Sequence, residues 1–274
     1  MTDLCDKGVL RITGMSRSGN HALIHWILRQ LQGRWCFLNC AEPGVSPFLS
    51  ARPMDDGAVH LANDPGFDLA RAAAGDPAAL DHLVFSHEDV FLKPLFRREA
   101  KGTIERHVGG WGRWRDVLIL RDPYNLFASR RRSGLTAVTP AAAARIWKQH
   151  ARAFLGRCRG VPRDLIAVSY NRWATDCGYR QEIAAQLGLA FTDAGMEQIP
   201  RCLGGSSFDG LAFDGRASSM RVTERWRHYA DEPEFRALFD PEMRDLAEEA
   251  FGMRVLEPMR ERAGAFSAAP RPTI

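Results

Sequence analysis

The chain has 274 residues, of which 37 are Lys or Arg and 33 are Asp or Glu, and its formal net charge is +4. Its contents of 45% hydrophobic and 26% charged residues are ordinary for a globular domain and exclude disordered, collagen-like and disulfide-scaffold proteins. Four of the basic residues are lysine and 33 are arginine. Guanidinium groups suit the recognition of phosphates and carboxylates, although on composition alone biased codon usage is the simpler explanation of the skew.

The chain contains no run of about 18 apolar residues, so no transmembrane helix is predicted. The N-terminus is polar and acidic, unlike a signal peptide. Six scattered cysteines form no CxxC pair and have no metal-ligand spacing. We therefore predict free thiols, a cytoplasmic location and no metal. A single domain is expected over 1–274, with an ordered core at about 8–260 and a frayed tail at 263–274.

Strand-like and helix-like segments alternate along the chain. Strands are predicted at 9–13, 35–38, 82–86, 116–120 and 165–169. Helices are predicted at 20–31, from 123 onward, and at 140–155, 180–187, 233–239 and 241–251. This alternation predicts an α/β domain with a central parallel sheet of about five strands flanked by helices. Two irregular segments, 41–77 and 97–115, are expected to form a substrate site because long loops usually carry function.

The first strand leads through a glycine-bearing turn into the first helix. Such a turn binds anions, because the helix N-terminus offers free N–H groups and a partial positive charge. The turn runs from Gly14 to His21 and has the glycine spacing of a P-loop. Asn20 and His21 stand where a P-loop has Lys and Ser or Thr, and Arg17 adds a cation in the middle. This pattern predicts an anionic donor handled without magnesium.

Ser16-Arg17-Ser18-Gly19-Asn20-His21 resembles the loop that binds the 5′-phosphosulfate in sulfotransferases that use 3′-phosphoadenylyl sulfate (PAPS). An Arg at the first position of that motif resembles the protein-tyrosine sulfotransferase variant, and Asn20 departs from the usual Thr. The resemblance implies a P-loop-NTPase-like sulfotransferase fold. It also implies donor contacts from Arg17, Ser18, Gly19, Asn20, His21 and Ala22.

A second motif follows the fourth predicted strand. Arg121 ends that strand, Asp122-Pro123 opens a helix, and Ser129 lies eight residues after Arg121. An Arg at the carboxyl end of a parallel strand points into the crevice where α/β folds bind ligands, and a guanidinium with a hydroxyl suits a terminal phosphate. The Arg121/Ser129 pair is similar to the 3′-phosphate motif of the same family.

Three weaker similarities follow in the family's order. Val168-Ser169-Tyr170 resembles a strand end whose Tyr lies near the adenine, with Asn171 in place of the usual Glu. Gly205-Ser206-Ser207-Phe208 resembles a segment that contacts the nucleotide. Arg225-Trp226 resembles a late basic segment, but the usual Arg-Lys-Gly triplet is absent, so Arg221 and Arg225 are the candidate replacements.

Sulfuryl transfer to an alcohol needs a cation on the leaving oxygens and a base for the acceptor proton. Arg17 is the predicted cation. His87 and Glu88 are the candidate bases: His87 matches a catalytic His of the cytosolic sulfotransferases, and other branches use a Glu. Neighbours on a strand point to opposite faces, so one of the two is expected to reach the substrate, and the ordinary pKa of histidine favours His87.

These motifs predict a metal-independent transferase that moves a sulfuryl group from PAPS to an acceptor hydroxyl or amine, leaving PAP (adenosine 3′,5′-bisphosphate). The acceptor is expected to be a small molecule, lipid or glycan, without nucleic-acid partners. The alternative is a P-loop kinase acting on a small molecule, which the missing Lys and hydroxyl disfavour. A non-catalytic nucleotide- or nucleic-acid-binding module would need a basic, aromatic-interleaved sheet face, and no such pattern is present.

Overall fold

The computed structural model describes residues 8–54, 57–74, 80–97, 102, 104–105, 113–201 and 205–256. The predictions for the tail at 263–274, for most of the 97–115 segment, and for Cys5 and Cys202 fall outside these residues. Within them, Cys36, Cys40, Cys158 and Cys177 are free thiols.

In the described part of the chain, six strands form one sheet in the order β3-β2-β4-β1-β5-β6. Their bounds are β1 Gly8–Gly14, β2 Trp35–Leu38, β3 His60–Ala62, β4 His82–Glu88, β5 Arg113–Leu120 and β6 Ile166–Ser169. All neighbouring pairs are parallel except β2 and β3. The α/β prediction is confirmed, but the count of about five parallel strands missed β3, an antiparallel edge strand. Three residues are too few to show a period-2 pattern within a Pro- and Gly-rich segment.

Ten α-helices with described bounds pack around the sheet. The longer ones are α1 Asn20–Gln30, α5 Pro123–Arg132, α6 Pro140–Phe154, α8 Cys177–Leu187 and α10 Pro241–Phe251. The short ones are α2 Pro47–Ser50, α3 Leu69–Ala73, α4 Leu92–Leu95, α7 Tyr170–Thr175 and α9 Pro233–Arg236. The Asp122 carboxylate caps α5 by accepting from the Asn125 N–H at 2.9 Å, with Pro123 in the first turn, as Asp-Pro predicts.

Successive side chains of the central strands belong to different hydrophobic core clusters, one on each face of the sheet. Leu10 and Ile12 of β1 belong to the same core cluster as α1 and α8 side chains, whereas Val9 packs with the cluster under α3. On β5, Val117 and Ile119 join the α1 layer and Leu120 joins the α5 and α6 layer. Both sheet faces are therefore covered, which explains why β5 reads as a continuous apolar run.

The chain leaves β1 toward β2 on one side and leaves β5 toward β6 on the other. Because β1 and β5 are neighbours, the segments that follow them diverge and open a crevice at their carboxyl ends. Both predicted motifs follow these two strands, so the topology brings them together. None of the helices in the described ranges is long and apolar enough to cross a membrane.

Candidate functional site

The turn between β1 and α1 is closed by its own hydrogen bonds. The Ser18 N–H donates to the Met15 carbonyl at 2.9 Å, and the Met15 N–H donates to Ser18 Oγ at 3.1 Å. The side chain of Ser18 is 1% exposed, so its hydroxyl holds the turn together. The sequence predicts a donor contact from Ser18, and its side chain points into the loop.

Arg17 and Gly19 both have left-handed backbone, with φ of 73° and 87°. A Cβ on Gly19 would overlap the Tyr170 ring, so only glycine fits there without displacing that ring. Helix α1 begins at Asn20 with no side-chain cap and no acidic residue in its first turn. Its first N–H groups therefore remain an anion-binding site, and Arg17 lies beside it with Nη2 donating to the Gly205 carbonyl at 3.3 Å.

Glu88, the last residue of β4, is held by the turn. Its carboxylate accepts from Ser16 Oγ at 2.7 Å and from Asn20 Nδ2 at 2.8 Å. His21 Nε2 lies 3.7 Å from Glu88 Oε1. The Asn20 amide, which stands where a P-loop has Lys, thus binds this carboxylate. Glu88, Asn20 and His21 all line one cavity of about 240 Å³.

His87 points away from that cavity. Its side chain is 0% exposed and Nδ1 lies 2.7 Å from the Ala41 carbonyl. Burial, with a smaller effect of the nearby Arg11 charge, lowers the pKa of His87 to about 4. Nε2 has no hydrogen-bond partner among the described residues. Of the two candidate bases, Glu88 lines the cavity, whereas His87, which the ordinary pKa of histidine favoured, is fully buried.

A buried ion pair that the sequence did not predict stabilises the turn between β1 and α1. Arg130 Nη1 donates to both Asp89 oxygens, at 2.8 and 3.0 Å, and to the Ser16 carbonyl at 3.1 Å. The Asp89 N–H donates to the Gly14 carbonyl at 3.1 Å. Arg130 is 6% exposed. The sequence shows only an acidic residue directly after β4. Its partner could not be identified from local spacing, because it lies 41 residues later in the chain, on α5.

Arg121 lies at the carboxyl end of β5 and is 2% exposed. Its guanidinium donates to the Arg17 carbonyl at 3.1 Å, to Ser129 Oγ at 3.2 Å and to the Val222 carbonyl at 2.6 Å. Nε has no partner within the described ranges. Burial, helped by the neighbouring Arg225 and Arg17 charges, lowers the pKa of Arg121 to about 10. An anion placed here would relieve that cost. Ser129 is fully buried behind Arg121.

Of the late arginines, Arg225 reaches the cavity and Arg221 does not. Arg225 Nη2 donates to Ser206 Oγ at 2.9 Å and to Asp209 at 3.0 Å, and both Ser206 and Arg225 line the cavity. The Arg221 side chain is 84% exposed and pairs with Glu224. Trp226 packs on the α5 and α6 core cluster and is absent from the described cavity wall.

The remaining wall is mostly apolar. Tyr170 lies under the Arg121 guanidinium, 5.0 Å from it, and packs against Trp173. Further lining side chains are Ala22, Met196, Ile199, Pro200, Met220 and Val222. Ser207 also lines the cavity, and its buried Oγ is unpartnered in the described structure. The cavity thus combines a cationic wall with a surface suited to a flat aromatic ring.

In the residues that the structure describes, no three His, Cys, Asp or Glu side chains come together as a metal site. Among the described residues that line this cavity, the buried polar atoms without partners are Arg121 Nε, Ser207 Oγ, Trp173 Nε1 and Asn20 Oδ1. The first three can donate a hydrogen bond to an acceptor such as a phosphate oxygen, whereas the amide oxygen of Asn20 only accepts. The chemistry available at this wall is therefore the binding of an anion by guanidinium, hydroxyl and backbone N–H donors.

No family model matches the chain, and no curated protein sequence matches it. Among solved structures, the sulfotransferase domain of the Synechococcus PCC 7002 olefin synthase has a TM-score of 0.47 and 15% identity, covering 91% of this chain and 96% of that chain. The mouse sulfotransferase SULT7A1 complexed with PAP has a TM-score of 0.47 and 14% identity, covering 89% and 90%. The sulfotransferase domain from the curacin biosynthetic pathway has a TM-score of 0.44 and 10% identity, covering 88% and 96%. The chain is similar to these sulfotransferase structures over about nine tenths of its length.

Proposed function

We propose that the protein is a sulfotransferase that moves the sulfuryl group of PAPS to a hydroxyl or amine. The observation that carries this proposal is the meeting, at one cavity, of the uncapped start of α1 with the guanidinium groups of Arg17, Arg121 and Arg225. Such a wall suits a ligand with anionic groups at two separate places.

The 3′-phosphate is assigned to Arg121 and Arg225, with the hydroxyls of Ser206 and Ser207 beside them. The bonded partners of Arg121 are carbonyls and a hydroxyl rather than a carboxylate. Among the described residues no carboxylate forms a direct ion pair with this guanidinium, and a phosphate would supply such a partner. Ser129 holds this guanidinium from behind, and in this proposal it positions Arg121.

The 5′-phosphosulfate is assigned to Arg17 and to the N–H groups of Asn20, His21 and Ala22. In the reaction, a bond forms from the acceptor oxygen to sulfur, and the bond from sulfur to the bridging oxygen breaks. Negative charge then grows on the leaving PAP. Arg17 and the α1 N-terminus are already in place to stabilise that charge, which is the largest contribution a protein usually makes to such a step.

Removal of the acceptor proton is assigned to the part of the cavity wall that contains Glu88. Glu88 lines the cavity beside the turn, and His87 is fully buried with its Nδ1 at the Ala41 carbonyl. A base must come within hydrogen-bond reach of the proton that it takes. The adenine is assigned to Tyr170 and Trp173, whose rings offer a stacking surface.

A small-molecule kinase is the alternative. It would need a lysine and a magnesium-binding hydroxyl after Gly19, and the chain has Asn20 and His21 there. Asn20 binds Glu88 and the Met15 carbonyl, so it does not replace the lysine. The acceptor class, whether small molecule, lipid or glycan, and the cytoplasmic location stay predictions.

Calorimetric titration of the full-length protein with PAP, and separately with ATP and Mg²⁺, tests the proposal. We expect PAP to bind at least about tenfold more tightly, a difference of about 1.4 kcal/mol, because only PAP carries a phosphate for Arg121 and Arg225. Tighter binding of ATP with Mg²⁺ would reject the sulfotransferase proposal in favour of the kinase.

A further inference from the structure

One buried amide near the cavity has no part in the assignments above. Asn125 lies in the first turn of α5, four residues after Arg121, and is 0% exposed. It is absent from the described cavity wall, so it touches no ligand in the proposed arrangement. Its side chain instead joins α5 to residues 222–226, which we call the late segment.

Both ends of this amide are hydrogen-bonded. Nδ2 donates to the Thr223 carbonyl at 3.0 Å and to both Asp122 oxygens, each at 3.0 Å. Oδ1 accepts from the Trp226 N–H at 3.2 Å. An amide offers a donor and an acceptor side by side. A carboxylate at this position could not donate to Thr223, and an aliphatic side chain could form neither backbone bond.

The start of α5 holds the amide in place. Asp122 is 0% exposed, and its carboxylate also accepts from the Asn125 N–H at 2.9 Å and from Asn171 Nδ2 at 2.8 Å. A buried polar network whose groups are paired in this way is rigid. Because Asp122 directly follows Arg121 in the chain, Asn125 holds the late segment at a fixed place relative to Arg121.

The late segment carries two groups of the wall assigned to the 3′-phosphate. The Val222 carbonyl accepts from Arg121 Nη2 at 2.6 Å. Arg225, which is 8% exposed, lines the cavity. In both cases the backbone group that Asn125 binds belongs to the next residue of the chain. A shift of the late segment would therefore move Arg225 and the carbonyl that holds Arg121 together.

We propose that Asn125 is a positioning residue that sets the selectivity of the donor site for a nucleotide with a 3′-phosphate; this rests on the sulfotransferase function proposed above. Asn125 acts through Arg121 and Arg225. The 5′-phosphosulfate is assigned to another part of the wall, Arg17 and the start of α1. A change at Asn125 should therefore weaken the binding of the 3′-phosphate and leave that of the 5′-phosphate as it is.

The test measures the calorimetric affinities of the full-length protein for PAP and for adenosine 5′-monophosphate (AMP), which differs from PAP only in lacking the 3′-phosphate. In Asn125→Leu we expect the affinity for PAP to fall about tenfold, because the guanidinium groups lose their alignment with the phosphate. The affinity for AMP should stay within about twofold of wild type, because AMP makes no contact that depends on the late segment.

The matched control is Asn63→Leu. Asn63 Nδ2 donates to the Gly33 carbonyl and its Oδ1 accepts from the Trp35 N–H, each at 2.8 Å. It thus also joins two backbone segments, but it lies at the amino end of β2, whereas the cavity lies at the carboxyl ends of β1 and β5. This variant should change the affinity for either nucleotide by less than about twofold.

Two further readouts separate positioning from a general structural role. In an Arg225→Ala background, Asn125→Leu should cost less PAP affinity than in the wild type, because one guanidinium that it positions is already gone. In the wild-type protein, amide hydrogen exchange of the late segment should be slower with saturating PAP than with saturating AMP. The exchange measurement needs no variant, and circular dichroism verifies the folding of the variants.

Equal losses of PAP and AMP affinity in Asn125→Leu would show a general loosening of the site and overturn the inference. An unchanged affinity for PAP in that variant would overturn it as well. Equal protection of the late segment by PAP and AMP does the same, even if Asn125→Leu does not fold. Failure of the wild type to bind PAP is a different result, because it removes the proposed function itself and the inference with it.

Discussion

Among single residues, Arg121 shows how burial makes a cation a ligand-binding group. It is 2% exposed and lies beside Arg17 and Arg225, and burial is the main reason that its pKa falls to about 10. Its hydrogen bonds leave Nε without a partner among the described residues. A bound phosphate would therefore gain strong charge-assisted hydrogen bonds without first displacing a carboxylate.

Replacing Arg121 with Ala should weaken PAP binding about 100-fold, or about 3 kcal/mol, because charged hydrogen bonds to the phosphate are lost. Arg221→Ala should change the affinity less than about threefold, since its side chain is 84% exposed and pairs with Glu224. Calorimetry measures both variants, with circular dichroism to verify folding. Equal losses in the two variants would contradict the assignment of the 3′-phosphate to Arg121.

At the scale of elements, the turn before α1 is held by neighbouring elements as well as by its own hydrogen bonds. Ser16 contacts β4 through Glu88 and α5 through Arg130. Asp89 has left-handed backbone with φ of 54° and accepts from the Ser16 N–H at 3.3 Å. The Asp89–Arg130 ion pair thus joins three elements beneath the donor site.

We expect Arg130→Met to lower the free energy of unfolding by about 3 kcal/mol, because Asp89 is left as a mostly buried, unpaired charge. It should also weaken PAP binding, since the Ser16 carbonyl loses its donor. Urea denaturation measures the first effect and calorimetry the second. The matched control is Arg131→Met, whose more exposed partner Glu232 makes it a surface ion pair worth about 1 kcal/mol or less.

The double variant Arg130→Met/Asp89→Leu tests whether the two residues stabilise the protein through their mutual ion pair. Removing both charges should cost less than the sum of the two single changes, because no unpaired charge remains. Strictly additive losses would show that Asp89 and Arg130 act independently of each other.

For the molecule as a whole, two buried histidines make stability depend on pH. Burial lowers the pKa of His87 to about 4 and that of His150 to about 4. His150 Nε2 bonds to the Val90 carbonyl at 2.9 Å, beside the segment that leads from β4 into α4. Both rings are neutral in the folded protein at mildly acidic pH, whereas in the unfolded chain they take up protons below about 6.5.

Stability should therefore fall as the pH drops from 7 to 5, because the unfolded state binds more protons in that range. Each histidine should contribute about 2 kcal/mol of this loss. Urea denaturation at several pH values measures it, and His150→Gln should make the loss smaller by the contribution of that one ring, about 2 kcal/mol. A stability that is flat between pH 7 and 5 in the wild type would show that these rings are not buried as described.

Much of the fold could be read from the chain because its signals are local. The β5 run of apolar residues, the Asp122-Pro123 helix start and the glycine turn each act within a few residues, and all three appear as predicted. Strand β3 was missed because a three-residue edge strand is defined by pairing with β2 rather than by its own pattern.

The sequence alone determined that an anion-binding turn and a strand-ending arginine exist, since both depend on residue type and short spacing. It named Arg17, Arg121 and the serines as candidate ligand contacts, but it could not choose between His87 and Glu88 or between Arg221 and Arg225. Only the tertiary structure decided where these side chains lie: it buries His87 against Ala41, leaves Arg221 in solvent, and lines the cavity with Glu88 and Arg225. The physical reason is that exposure and hydrogen-bond partners arise from segments distant in the chain, and these set which side chain meets a ligand.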